Sequence, residues 1–288
     1  MTTSTPTQPF WKTKLLLIAV IAVFLTQLSC ADKKKMVLQT HKEAVDTLST
    51  GSKDTLVKFA NIDIRKLLDT SDLSKIFCNH DSLGAYDNRV DGFFGTDHYR
   101  IQFYFSKVWK DSLDPLVYNF EGKSNFKDNI APFKGKLVLE KAMKFTDPKI
   151  NLSEWKYENG DSLKGTYSLI GKLQFEEDKR LGHAGVFSGD FRMEFANMAK
   201  GDRFLWFYSP SIGSKGAGYA SAGNWQQYGK PNVKPFIFGK DIFMFANDIL
   251  ADFSYGERDI QINEKYVHLG WDNYWEQDEW WVESKAKM

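Results

Sequence analysis

Four side chains able to hold a metal ion gather in one short stretch of this sequence: His80, Asp87, Asp91 and His98. Imidazole nitrogens and carboxylate oxygens are ordinary ligands for zinc or calcium. The run Asp87-x-Arg89-x-Asp91-Gly92 is spaced like the start of a calcium loop, but Arg89 stands at a ligand place. His98 falls at the twelfth position, where such a loop needs a bidentate Glu. Cys78 with His80 and His98 would make a zinc-type set. Oxygen-rich turns between strands account for the same residues without a metal. No cofactor is expected.

Two more motifs fail on spacing. Gly213-Ser-Lys-Gly-Ala-Gly218 offers bare backbone N–H groups to an anion, but lacks the Lys-Ser/Thr ending of a phosphate loop. Gly185-Val-Phe-Ser-Gly189 places its serine one position late for a hydrolase elbow, on the polar side of an alternating run. The C-terminal segment has two readings. Trp271, Tyr274, Trp275 and Trp280 stand among Asp272, Glu276, Asp278 and Glu279. If exposed, these rings are the candidate ligand contacts, stacking on sugars or peptide side chains while carboxylates bond polar groups. Glu276 and Glu279 would then also suit glycosidase acid–base chemistry. If buried, the tryptophans close the core. No catalytic constellation is assigned, and the chain reads as a binding or envelope-assembly module rather than an enzyme. A hydrolase acting on glycans near this segment is the alternative.

The elements that must position these residues are mostly strands. Aromatic residues make up 15% of the chain, which suits pleated, half-buried surfaces. Ile101, Phe103 and Phe105 alternate with polar neighbours, as do Phe187, Gly189, Phe191, Met193 and Phe195, the signature of a strand with one buried face. Asp111, Asp114 and Pro115 supply a reversal, and a strand through Tyr118 and Phe120 follows. Phe204–Tyr208 is another strand. Glycine, serine and proline between Ser209 and Pro235 predict a long loop, and strand-type runs return at Phe236–Phe238, Ile242–Phe245 and Ile260–Ile262. Residues 55–78 read as helical, with Ser71 or Asp72 as caps. The fold class is therefore mainly β, an antiparallel sandwich or barrel with a short N-terminal helical element.

An internal echo runs through this pattern. Tyr118, Gly122, Lys123 and Phe126 recur at the same spacing as Tyr167, Gly171, Lys172 and Phe175, each set followed by a Phe-x-Gly strand start. Twelve steps separate Phe175 from Phe187, against seven from Phe126 to Phe133, so the second hairpin has the longer loop. Residues 56–288 read as one β-rich domain, or as two similar subunits at about 98–145 and 165–288.

Charge excludes one class of partner. The chain carries 38 basic and 37 acidic residues with no large cationic cluster, so no nucleic-acid partner is expected. Two cysteines, Cys30 and Cys78, are too few for a disulfide framework. Cys78 is either a buried small apolar residue or a reactive thiol.

The N-terminus is more specific. Lys12 and Lys14 precede the apolar run Leu15–Leu25, which has the length of a secretory h-region and stops at Thr26 and Gln27, too soon for a spanning helix. Ser29-Cys30 follows. With its small residue directly before a cysteine, this segment resembles the signal of bacterial exported lipoproteins, although the usual Leu three places before the cysteine is Gln27 here. The resemblance covers about residues 12–30. It implies residues 1–29 as a signal peptide, Cys30 as the site of lipid (palmitate) attachment and 30–55 as a polar tether. It also implies a place in the cell envelope, in either leaflet, with the membrane as one partner; the aromatic C-terminal segment adds a glycan or protein as another.

Overall fold

Inward-facing aromatic residues at every second position drive eight strands to close on themselves. The computed structural model describes residues 59–79, 88–146, 162–200, 204–207, 217–245, 254–255, 260–261, 264–274, 276 and 279–282. All lie within one compact unit, Lys42–Met288. Cys30 and its signal, His80, Asp87, Trp275 and most of the Gly213–Gly218 loop lie outside the described residues.

The strands of the main sheet are β1 (Phe59–Ile62), β2 (Arg89–Phe94), β3 (Tyr99–Lys110), β4 (Val117–Phe126), β5 (Asn129–Phe145), β6 (Leu163–Glu177), β7 (Gly185–Met198), β8 (Phe204–Trp206), β9 (Tyr219–Gln227) and β10 (Val233–Gly239). β11 (Ser254–Tyr255) and β12 (Ile260–Gln261), the latter within the run expected at Ile260–Ile262, pair in a separate two-stranded sheet. Successive strands from β2 to β7 pair antiparallel, β7 pairs with β9, β9 with β10, and β10 returns to β2. The result is an eight-stranded antiparallel barrel. β1 and β8 lengthen one end, pairing with the last residues of β5 and β7. The two hairpins of the sequence echo are β4–β5 and β6–β7, neighbours in this one closed sheet.

Phe103, Phe105, Phe120, Phe133, Phe175 and Phe238 meet inside the barrel, none more than 3% exposed. Glycines opposite the rings let them fit. A Cβ on Gly135 would stand 2.2 Å from the Gln174 carbonyl oxygen and 2.3 Å from the Phe175 ring. Fully burying such a side chain contributes about 1.5–3 kcal/mol. The outer face carries Lys134, Lys136, Lys172, Glu121 and Glu176. Apolar inside and charged outside is the reverse of a barrel that faces lipid.

The N-terminal helical element plugs one end. Asp63 caps α1 (Ile64–Asp69) by accepting from the Arg65 and Lys66 N–H groups. Asp72 accepts from the Ser74 N–H at 2.9 Å just ahead of α2 (Ser74–Phe77), but the cap position falls on Leu73, which makes no side-chain cap bond, rather than on Ser71 or Asp72 as the sequence suggests. The region is shorter in helix than its sequence predicts, because β1 takes its first residues. α2 drives Phe77 into a ring cage of Tyr118, Phe120, Phe191, Trp206 and Tyr219, at centroid distances of 5.3–6.2 Å. Cys78 is buried beside it and donates to the Phe105 carbonyl at 3.2 Å, and burial pushes its thiol up to about 11. That is the packing role, not the reactive one.

Two sequence expectations change. β9 lies within the stretch expected to be loop. Its small residues have weak strand preference, yet Ala220 and Ala222 are fully covered by the C-terminal segment. Ile242–Phe245 is a 3-10 turn rather than a strand. It starts past the end of β10 and drops Ile242 and Phe243 onto the outer faces of β2, β9 and β10. No helix among the described residues is long and apolar enough to cross a membrane.

Candidate functional site

Two groups of residues read separately in the sequence meet around Arg100. Outward-facing on β3, Arg100 donates through Nε to Asp91 of β2 at 2.7 Å. Its Nη1 reaches Asn273 Oδ1 at 2.8 Å, and its guanidinium lies 5.7 Å from the Trp271 ring centroid and 5.1 Å from that of Tyr274. Both ion-pair side chains are almost fully buried, at 4% and 9% exposure. The chain reaches them through α3 (Glu264–Tyr266) and an irregular turn over Val267–Trp271 that contains Gly270 at φ 84°. Trp271 donates its indole N–H to the carbonyl of His98, itself at positive φ, at 3.0 Å.

These contacts redefine several candidate residues. Asp91 is the counter-ion of Arg100, and His98 packs its ring edge-on against Phe93 at 5.4 Å. No group of three or more potential metal ligands occurs among the described residues. Trp271 is fully buried and presents no ring face to a ligand; it serves the core, the other of its two readings. Tyr274 is half-buried between Phe243 and Arg100. Farther on, Trp281 stacks on Tyr104 at 4.6 Å, and Lys123 donates to its carbonyl at 2.9 Å. Trp280 alone of the described candidates lines open space. It borders a polar groove of about 480 Å³ with Gln102, Asn125, Lys127 and Glu276. Glu276 and Glu279 are both exposed, unlike the enclosed carboxyl pair that glycosidase chemistry uses.

The mouth of the barrel opposite the plug holds a carboxylate that sequence reasoning missed. Glu177, at the end of β6, accepts from Ser124 Oγ at 2.5 Å, the Trp225 indole at 3.0 Å and the Gly185 N–H at 2.9 Å. It lines a pocket of about 210 Å³ with Lys234, whose ammonium lies 5.2–5.9 Å from the rings of Phe94, Phe126 and Trp225. Burial raises the Glu177 pKa, and the three hydrogen bonds offset only part of that rise. A carboxyl raised on folding favours the native state fully below the ordinary carboxylate pKa, and that contribution is lost as pH climbs through the folded value. Glu177→Gln mimics the protonated form, so the variant should gain stability relative to wild type as pH rises from 4 to 8. Urea midpoints across that range would test this; a constant difference would refute it.

A further groove, of about 880 Å³, lies on the outer wall of the barrel. Strand register builds it. Trp109 of β3 stands opposite Asn119, which stands opposite Lys136, then Gln174, Ser188 and Asn224. All six point outward, because their strand neighbours Tyr118, Phe120, Leu137, Leu173, Phe175, Phe187 and Trp225 fill the interior. Ion pairs flank the row, Glu121–Lys134 at 2.8 Å on one side and Lys172–Asp190 on the other. The sequence holds no sign of this row, since its successive members are 10 to 38 positions apart and only register aligns them.

Comparisons with protein families, with characterised proteins and with solved structures give no match for this chain.

Proposed function

We propose that this protein is a bacterial envelope lipoprotein whose barrel is a non-enzymatic binding module, held to a membrane by acyl chains on Cys30 and engaging its partner through the outer wall. One observation carries the binding half: the interior is packed with phenylalanine rings, while a large concavity of about 880 Å³ lies outside and is lined by an ordered row of polar side chains. Eight-stranded barrels that hold a small ligand inside leave their lumen open for it. Here the lumen belongs to the core.

The anchoring half rests on the brief apolar run before Cys30 and on the charged outer face, which suits a barrel surrounded by water. Each buried acyl CH₂ contributes about 0.8 kcal/mol, and stable attachment takes more than one chain. Radiolabelled palmitate fed to expressing bacteria should label the wild-type chain and leave Cys30→Ala unlabelled and released from the membrane fraction. Equal labelling of both, or a mature chain beginning at Met1, would refute the anchor.

A further inference from the structure

We propose that the outer-wall row is a binding site for a linear, uncharged glycan lying across the strands. This rests on the reading of the barrel as a binding module and names the chemistry of its partner.

Length is the first argument. Trp109, Asn119, Lys136, Gln174, Ser188 and Asn224 are direct cross-strand neighbours on six consecutive strands. Strands lie about 4.8 Å apart, so five steps span roughly 24 Å. That repeat is close to the rise per ring of an extended sugar chain. A small molecule would use only a fraction of such a row, whereas a polymer with regularly spaced polar groups would use all of it.

Chemistry is the second. Side-chain amides and hydroxyls both donate and accept, as sugar hydroxyls do. Asn119, Gln174, Ser188 and Asn224 are of this kind, and the last three are exposed. The Gln174 amide nitrogen is engaged by Glu176 at 2.9 Å, which orients its carbonyl oxygen as an acceptor. Trp109 closes the row with a ring 36% exposed, over which Lys107 places its ammonium at 4.8 Å. The uncovered face suits stacking on the apolar face of a pyranose.

Charge is the third. Lys134 is paired with Glu121 and Lys172 with Asp190, so the ridges on either side cancel rather than attract one sign. Within the row itself Lys136 is the one cation, so a polyanion gains a single charge contact there and a polycation none. An extended peptide is also disfavoured, because each of the eight barrel strands is paired on both sides and strand addition needs an open edge.

The test is an array of linear uncharged glycans, matched polyuronates and extended peptides, probed with the full-length chain in detergent micelles. The wild type should be retained by at least one uncharged glycan and not by its polyuronate counterpart. Trp109→Ala and the pair Gln174→Ala with Asn224→Ala should each weaken that retention tenfold or more, with unchanged unfolding midpoints. Retention by no uncharged glycan, preference for polyuronates, or indifference to both variants overturns the inference. If peptides are retained instead and lost in the same variants, the glycan is wrong and the binding module stands. If neither array retains the chain, both fall.

Discussion

Arg100→Ala is expected to destabilise the protein by about 3–5 kcal/mol, the range found when one partner of a buried ion pair is removed. Asp91 would be left with a carboxylate 9% exposed and without its ion-pair partner. Asn273 would lose its 2.8 Å bond, and Trp271 and Tyr274 the guanidinium between them. For a domain of this size, 1 kcal/mol shifts the midpoint by roughly 2–4 °C, so thermal unfolding should begin about 10 °C lower. The damage should also be local. Arg100 is the charged one of the polar links between the barrel wall and the C-terminal segment, beside Trp271–His98 and Lys123–Trp281, so limited proteolysis should cut the variant around residues 264–274 before the barrel opens. Replacing both partners with apolar residues, Arg100→Met with Asp91→Leu, should recover most of the loss, because it removes the stranded charge. A single variant within 1 kcal/mol of wild type, or one cut first inside the barrel, would show that the pair does not hold this seam.

Bulk decided what the sequence could disclose. β3 and β7 were legible because large rings at alternate positions have one plausible placement, with Ile101, Phe103 and Phe105, and Phe187, Phe191 and Phe195, all on the inner side. β9 was hidden for the opposite reason. In Tyr-Ala-Ser-Ala-Gly-Asn-Trp the small residues are demanded by what covers them, and a covering segment some 40 positions away leaves no local trace. Ile242–Phe245 looked like a strand because an apolar run has the same composition whether it extends a sheet or folds over its outer face. The choice between sandwich and barrel was equally out of reach. It turns on Phe236–Gly239 of β10 pairing with Asp91–Phe94 of β2, a contact between distant parts of the chain.

The candidate sites divided along the same line. The Trp-rich tail was visible as a composition, and the structure splits it by position: Trp271 is core, while Trp280 borders open space. Asp91 and His98 were noticed as chemistry-bearing types, yet their roles were set by Arg100 and Trp271, partners that only folding supplies. The six-residue row had no signal at all, because its order in space follows register rather than sequence. Its polar character is nonetheless a direct consequence of alternation: once every second residue must fill a narrow barrel with rings, the residues between them inherit the outer surface.

Phe175→Ala should cost about 3–5 kcal/mol, and more than Phe175→Leu at the same site. The ring is fully buried and lies 4.5 Å from Phe133, 5.4 Å from Phe120 and 5.9 Å from Phe105, with Phe103 and Phe238 at 6.2 Å. Truncation costs depend on how far the surroundings can collapse. Here they are anchored to a wall in which Phe175 itself pairs with Gly135 on one side and Phe187 on the other, so the strands cannot close in without breaking ladder bonds. The expected loss therefore lies at the upper end of the range, and the void should persist. An apolar cavity of that kind stays dry and takes up benzene or xenon. Benzene should accordingly raise the unfolding midpoint of Phe175→Ala in a concentration-dependent way and leave wild type unchanged, as linkage requires of a ligand bound only to the native state. A loss below about 1 kcal/mol with no response to benzene would mean that the lumen is loosely packed. The case for placing the binding site outside would then lose its main support, since that case depends on the rings leaving no space within.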